Sequence, residues 1–448
     1  MQSPEQARRI AEQLVERGMA AGATAADAIY VADKSSSVSV RLGELEDVSR
    51  SEGEGIGIRL FVGQRSASVA SSDLSDEVLA ELVVRCFAMA GEAPEDPYAG
   101  LAPDGLLHRG PLPDLDTYED LEPDPAALKA RALEAEQAAM AVPGVANSSG
   151  ASGSASGAVV ALATSHGFSG AYRSSGHGCS VTVIAGEGAT MQRDYAWHSA
   201  RHLADLDAAA TIGRRAGERA AARLNPIRPK PGRYPVIFDP RVASSLIGHF
   251  TGAISGSSVA RKTSFLQDKL GERVFADGVL IVDDPLRPRG LHSRPFDGEG
   301  LAVARRELVR DGVLTGWIAE SASARQLGID PTGNAARGTT GAPGASATNI
   351  CIAAGSRSRD ELLAAFPEAV LVTELIGHGV NSVTGDYSRG AAGFIVRDGE
   401  IAEPVAEITI AANLIDMFAT LEPASDLEYR YGAAAPTLLI PEMTIAAA

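Results

Sequence analysis

Histidine spacing is the first feature of the sequence that could support chemistry. Of the eight histidines, only His198 and His202 are four residues apart. On a helix this spacing places two imidazoles on one face, where a nearby carboxylate could complete a zinc site. The pair falls where a strand is predicted to end and a helix to begin, so we expect polar surface residues instead. His249 and His378 stand alone in apolar stretches, where a histidine is more often a hydrogen-bonded structural residue than a ligand.

Three common catalytic and nucleotide-binding motifs are missing from the sequence. There is no Gly-Lys dipeptide, and hence no P-loop lysine, and no G-x-G-x-x-G opens a helix after a predicted strand. The nearest segment to a G-x-S-x-G nucleophile elbow, 153–157, has alanine at its centre. Nucleotide binding by either route is therefore unsupported, and an α/β-hydrolase is excluded.

The elements that would position any site begin with a helix, an antiparallel meander and a second helix. Ser3 and Gln6 predict a capped helix start, with Pro4 at the first helical position. Short β-branched stretches broken by turn residues follow, and the apolar residues of 79–87 recur with helical spacing. A Pro/Asp/Gly-rich segment, about 91–125, is predicted to be an internal linker, and the Gly/Ser-rich segment 148–154 a flexible loop.

Three prolines within residues 225–232 predict the main domain boundary. Residues 1–225 are expected to form an N-terminal α/β domain of antiparallel meanders covered by helices. Residues 232–448 are expected to form a mostly antiparallel β domain, with tight hairpins at the Asp-Gly pairs 311–312 and 398–399. The sequence therefore predicts an α+β fold with two domains.

The amino-acid composition limits the binding partners and the cellular compartment that we expect for this chain. The chain has 448 residues and a net charge of −17, which would repel a phosphate backbone, so we expect no nucleic-acid partner. Three widely spaced cysteines suit reduced thiols in the cytoplasm. No stretch of about 18 apolar residues occurs, so no membrane partner is expected.

Three regions of the sequence resemble one known family. They read GEGIGIRLFVGQRSASVASSDLS from Gly53, FDPRVASSLIGHFTGAISGSSVARKTSFLQDKLGERVF from Phe238, and TGDYSRGAAGFIVRDGEIAEPV from Thr384, the last followed by LEYRYGAAAPTLLI. In this order they resemble the TldD/PmbA family of cytoplasmic peptidases, specifically its PmbA (TldE) branch. That family carries the historical label "modulator of DNA gyrase".

The resemblance implies that the zinc motif of this family is degenerate here. In the TldD branch, a helical H-E-x-x-x-H and a later cysteine hold zinc, and the glutamate is the general base. Laid on this chain, the motif places Ser244 at the first histidine, Ser245 at the glutamate and His249 at the second histidine. No cysteine follows Cys351. Serine is a poor zinc ligand and cannot replace the carboxylate base, so we expect neither zinc nor a catalytic residue in this chain.

The resemblance thus implies a partner subunit. Members of the PmbA branch resemble a chain that pairs with a TldD-type catalytic subunit and helps to enclose a peptide substrate, with zinc only in the partner. An exposed sheet edge could bind the peptide by strand addition. Whether the chain forms a homodimer when it is alone is left open.

Two segments combine glycine with polar residues in a manner typical of functional loops. For six residues in and next to these segments, the sequence leaves two alternatives open: a role in a peptide chamber or subunit interface, or a purely structural role. The six residues are Ser257, Arg261, His378, Asp386, Tyr387 and Arg389. For Arg261, a local ion pair is favoured.

Two other functions are open at this point. A self-sufficient hydrolase could use His378 with Asp386, or a metal held by His249, His378 and Cys351. A peptide-binding or gyrase-modulating protein would need no catalytic site.

Overall fold

Six long strands form the sheet of the first half of the computed structural model, which describes residues 1–120 and 124–447. Every pairing in this sheet is antiparallel. The strands are β1 (Ala25–Arg41), β2 (Glu44–Val62), β3 (Arg65–Ser71), β4 (Val145–Thr164), β5 (Ser169–Ala185) and β6 (Gln192–Ala200). Their order across the sheet is β3-β2-β1-β4-β5-β6.

Four helices cover one face of this sheet: α1 (Pro4–Ala20), α2 (Asp76–Glu92), α3 (Pro125–Met140) and α4 (Ala209–Ala222). The predicted capping box of α1 is present, with Ser3 and Gln6 bonded reciprocally. Even-numbered residues of β1, such as Ala28 and Tyr30, pack against α1 and α2, because side chains alternate along a strand. The odd-numbered Ile29 faces the opposite side, where it packs with Phe296 of the second half.

The loop predicted at 148–154 is wrong, because these residues belong to the first half of β4. The segment pairs with β5 on one side, and residues 151–154 also pair with β1 on the other. Small residues are needed here for packing: a Cβ added at Gly153 would lie 2.5 Å from the carbonyl oxygen of Leu128 in α3. The glycines and serines therefore let α3 approach the sheet closely.

The second half is built on a sheet of order β16-β15-β14-β7-β19-β17, in which β16 also pairs with β19. This extra pairing closes a ring of five strands, a barrel-like arrangement that leaves few free edges. Its strands are β7 (Gly232–Phe238), β14 (Glu368–Ile376), β15 (Asp386–Arg397), β16 (Glu400–Asn413), β17 (Glu422–Pro423) and β19 (Leu438–Ala447).

Shorter elements complete the second half. Its helices are α5 (Pro240–Ala253), α6 (Gly256–Ala260), α7 (Ser321–Leu327), α8 (Arg359–Leu363) and α9 (Leu414–Thr420). The remaining strands are β8 (Ile281–Asp283), β9 (Arg306–Arg310), β10 (Val313–Leu314), β11 (Ala335–Ala336), β12 (Gly344–Ala345), β13 (Ile350–Ile352) and β18 (Ala433–Ala434). Among the named strands of the described residues, β7 with β14 and β13 with β18 pair in parallel, and the other pairs are antiparallel.

The predicted α+β class and the mostly antiparallel second half are confirmed. Both predicted hairpins are present, with positive φ angles at Asp311, Gly312, Asp398 and Gly399, as a type I′ turn requires. The proposed domain boundary lies between the end of α4 and the start of β7.

The predicted linker crosses between the two halves. Its described part is irregular apart from one short turn, Asp104–Leu106, and residues 121–123 of the prediction lie outside the described residues. Leu107 forms a β-bridge with Leu301, and Arg325 donates to the carbonyl oxygen of Tyr98 at 2.7 Å. Among the described residues, no helix has the length and apolar character needed to cross a bilayer.

Candidate functional site

Helix α5 carries the three positions of the degenerate zinc motif. Asp239 caps the helix by accepting a hydrogen bond from the backbone N–H of Arg241 at 3.2 Å, and Pro240 occupies the first turn. The apolar face, which includes Leu246 and Phe250, is buried in the main core of the second half. This packing leaves Ser244, Ser245 and His249 half-buried along the margin of the helix.

The residues at these positions do not fit a zinc ion. Ser244 Oγ and Ser245 Oγ each donate to a backbone carbonyl three residues earlier, at 3.4 and 2.6 Å, so both hydroxyls are used within the helix. Zinc requires three or four thiolate, imidazole or carboxylate ligands. The positive charge of Arg389 acts on the His249 imidazole and lowers its pKa, and the same charge would repel a metal cation.

His249 lies against two residues at the start of β15. Its ring meets the Tyr387 ring edge to face, with the centroids 6.0 Å apart and the planes at 80°. Burial, and then the charge of Arg389, lowers the pKa of His249. Burial raises the pKa of Tyr387 to about 12. At neutral pH a neutral imidazole and a protonated phenol therefore stand beside a guanidinium cation.

The helix is fixed to the first half of the chain by a buried ion-pair network. Asp194 of β6, whose side chain is 1% exposed, accepts two hydrogen bonds from Arg241, at 2.6 and 3.2 Å. Arg223 lies 3.4 Å from the same carboxylate and 2.5 Å from Glu374 of β14. Burial opposes ionisation of Asp194, but Arg241 and Arg223 outweigh it and lower the pKa.

The segment 377–385 connects β14 to β15 and contains His378, and Asp386 follows it as the first residue of β15. His378 is exposed, and no hydrogen bond joins it to Asp386 in the described structure. Asp386 instead accepts from the Thr384 hydroxyl at 2.6 Å and from the Asn413 amide at 3.3 Å. The dyad of His378 and Asp386 that the sequence left open is therefore not formed.

Ser257 lies on α6 and Arg261 caps the end of this helix, away from any acidic partner that the structure describes. The Ser257 hydroxyl is 3.3 Å from that of Ser255. Arg261 Nε donates to the Ser257 carbonyl at 3.0 Å, so the side chain binds the end of its own short helix. The local ion pair favoured for Arg261 is wrong, because a backbone carbonyl supplies the acceptor.

The histidine pair with helical spacing does not converge either. His198 Nδ1 accepts from the backbone N–H of Asp207 at 3.0 Å, and His202 Nε2 lies 3.2 Å from Asp116. The two side chains are only 12% and 13% exposed, so the predicted surface position is wrong and each is held by a carboxylate-bearing neighbour. Within residues 1–120 and 124–447, no three His, Cys, Asp or Glu side chains lie close enough together to hold a metal ion. His249, His378 and Cys351 therefore do not form the alternative metal site.

A buried charge cluster between the two halves of the chain was not predicted from the sequence. Asp27 pairs across the strands with Arg59 and also contacts Arg337, which is 310 residues away. One signal was present: Asp27 and Arg59 are opposite charges inside apolar stretches of adjacent strands, where an unpaired charge would be costly. Nothing in the sequence marks Arg337 as their partner.

Comparison with family models matches three parts of the chain in order. Residues 26–90 match domain 1 of the PmbA/TldA metallopeptidases, residues 118–224 match the central domain, and residues 231–447 match the C-terminal domain.

Individual proteins are similar over nearly the whole length. Metalloprotease PmbA of Escherichia coli O157:H7 is 38% identical, with 98% of this chain and 96% of the relative covered. A metalloprotease PmbA homolog of Haemophilus influenzae is 37% identical, covering 96% of this chain and 94% of the relative. The crystal structure of TldE from Thermococcus kodakarensis superposes with a TM-score of 0.88 at 22% identity and covers 98% and 100% of the two chains, which shows a shared fold.

Proposed function

The chain belongs to the PmbA/TldD metallopeptidase family, and we propose that it is the non-catalytic subunit of a cytoplasmic peptide-hydrolysing complex. In this proposal a TldD-type chain supplies the zinc and the general base. The present chain pairs with it and helps to enclose the peptide. A homodimer of this chain, which the sequence left open, is then a state that forms only in the absence of the partner.

The observation that carries the proposal is the chemistry of Ser244 and Ser245. At the positions where the resemblance places a zinc-binding histidine and a catalytic glutamate, this chain has two serines. Their hydroxyls donate hydrogen bonds to backbone carbonyls of α5. A serine hydroxyl is too weak a base at neutral pH to take a proton from water, as a glutamate carboxylate does. Water activation must then come from another chain.

Reconstitution tests this proposal. The chain purified alone is expected to contain far less than one zinc per molecule and to hydrolyse no peptide. Co-expression with a TldD-type chain should give a complex that hydrolyses peptides, and replacing the motif glutamate of that partner should abolish the activity. Elemental analysis and a peptide-cleavage assay on the same samples measure both quantities. Near-stoichiometric zinc together with hydrolysis by the isolated chain would refute the non-catalytic role. Stable assembly with the partner but without any hydrolysis would refute membership of a peptide-hydrolysing complex.

Replacement of Cys351 tests the alternative metal site separately. Cys351 is buried on β13, its Sγ is 4.0 Å from the Tyr429 hydroxyl, and burial raises the pKa of its thiol. Since metals bind the thiolate, we expect Cys351→Ala to leave the zinc content and peptide hydrolysis of the assembled complex unchanged. Loss of zinc from a variant with an unchanged melting temperature would instead place Cys351 in a metal site.

A further inference from the structure

Among the buried side-chain atoms that have no hydrogen-bond partner in the described structure, three lie between α5 and the start of β15. They are Nε2 of His249, the hydroxyl oxygen of Tyr387 and Nε of Arg389, which together we name the donor cluster. Tyr387 is 1% exposed, so water cannot readily satisfy its hydroxyl. Buried polar side chains are normally hydrogen-bonded, and a buried group without a partner is destabilising. Three of them in one place indicate a ligand.

The three groups belong to one small region. Tyr387 and Arg389 are two residues apart on β15, so their side chains leave the same face of the sheet. The His249 ring contacts the Tyr387 ring from α5. The charge of Arg389 lowers the pKa of both His249 and Tyr387, after the larger effect of burial, which places the guanidinium near both rings.

The chemistry of the cluster is that of a hydrogen-bond donor set with one positive charge. A guanidinium can only donate hydrogen bonds, a protonated phenol has an O–H to donate, and a neutral imidazole donates from one nitrogen. The Arg389 side chain forms no ion pair among the described residues, although the chain carries 57 acidic residues against 40 basic ones. A ligand that accepts several hydrogen bonds and carries a single negative charge would satisfy all three groups.

We propose that His249, Tyr387 and Arg389 bind a carboxylate group of the peptide substrate. The inference rests on the proposed function, because a peptide is the ligand that this function supplies. A carboxylate presents two oxygens in a plane that matches the fork of an arginine. It has further lone pairs for the phenol and the imidazole. The site occupies the place of the degenerate zinc motif but uses its one surviving histidine as a donor.

The segment 377–385 lies at the entrance to the cluster. It runs beside the start of β15, where Gly379 accepts from the backbone N–H of Ser388 at 2.7 Å and Val380 forms a β-bridge with Tyr387. Gly377 and Gly385, with φ angles of +78° and +80°, bound the segment. Most of the residues between them are exposed.

Binding of short labelled peptides tests the proposal. The probes are a fluorescein-labelled hexa-alanine with a free C-terminal carboxylate, the same peptide as its C-terminal amide, and an amide carrying one internal glutamate. Anisotropy titrations use the full chain and its complex with a TldD-type partner whose motif glutamate is replaced, so that no cleavage occurs. We expect at least one carboxylate-bearing probe to bind about tenfold more tightly than the neutral amide. Tight binding of the acid alone identifies a terminal carboxylate, and tight binding of the glutamate probe identifies a side chain.

Variants assign the preference to the cluster. Arg389→Gln should abolish the preference for carboxylate without weakening binding of the neutral amide, and Tyr387→Phe should reduce it about fivefold. Arg397→Gln is the matched control: Arg397 lies on the same strand, is 46% exposed and pairs with Glu403, so the preference should persist. Equal binding of all three peptides by the wild-type protein, or equal behaviour of the Arg389 and Arg397 variants, would refute the site. These outcomes are independent of zinc content and hydrolysis, so failure of the carboxylate site is distinguishable from failure of the proposed function.

Discussion

Replacement of Asp27 by alanine is expected to lower the free energy of unfolding by about 3–5 kcal/mol, because it leaves two arginines buried without a counter-ion. Asp27 is 2% exposed and Arg59 is 6% exposed, while the side chain of Arg337 is 1% exposed. Arg59 donates to Oδ2 of Asp27 through two nitrogens, at 3.0 and 2.5 Å, and Arg337 binds Oδ1. Burial alone would raise the pKa of Asp27, but Arg337 and Arg59 lower it, so the carboxylate is ionised.

The structural consequence extends beyond one ion pair. Arg337 belongs to the second half of the chain, whereas Asp27 and Arg59 belong to β1 and β2. Removal of the carboxylate therefore places two like charges at the contact between the halves, and we expect this contact to open first during unfolding. Replacing both Asp27 by alanine and Arg337 by methionine should recover part of the loss, because the second change removes one uncompensated charge.

Urea unfolding followed by circular dichroism measures these effects. The matched control is Glu403→Ala, which removes the carboxylate of the exposed pair with Arg397. Such surface pairs contribute about 0–1 kcal/mol, so this variant should remain close to the wild type. If Asp27→Ala were no more destabilising than Glu403→Ala, the buried cluster would not be an important link between the halves.

Local sequence patterns predicted those elements that are determined by nearby residues. The two Asp-Gly hairpins have the positive φ angles that aspartate and glycine tolerate, and the capping box of α1 forms within four residues. The Gly/Ser-rich part of β4 could not be predicted this way. Its composition is that of a loop, but its conformation is determined by pairing with β1 and β5 and by the close approach of α3.

In the candidate site, too, the residues could be predicted from the sequence but their contacts could not. The resemblance identified Ser244, Ser245 and His249 on one helix, and loop composition singled out Tyr387 and Arg389. Neither could show that His249 contacts Tyr387, because 138 positions separate them and only the packing of α5 on β15 joins them. His249 was expected to be hydrogen-bonded, but its Nε2 has no hydrogen-bond partner in the described structure.

A second carboxyl group, buried near the contact between the halves, should make the free energy of unfolding depend on pH. The sign of this dependence is opposite to that of an acid whose pKa is lowered by folding. Glu299 is 5% exposed and accepts from the backbone N–H and the hydroxyl of Ser321, at 2.9 and 2.7 Å. Burial, and then the charge of Asp297, raises the pKa of Glu299 to about 7 from 4.5. Between these two values the folded chain holds a proton that the unfolded chain releases. The free energy of unfolding therefore falls as the pH rises through this range and is flat above it.

Replacement of Glu299 by glutamine should remove this dependence, because an amide is neutral at every pH and its carbonyl oxygen can still accept from Ser321. Near pH 4.5 the variant and the wild type should be almost equally stable, whereas above about pH 8 the variant should be more stable by up to about 3 kcal/mol, at about 1.4 kcal/mol per pH unit. Urea unfolding across this range measures the difference, with Glu403→Gln as the exposed control. A difference between variant and wild type that stays constant with pH would show that Glu299 titrates normally. Stability that rises with pH in the glutamine variant relative to the wild type would instead place the proton on Glu299, buried beside Asp297.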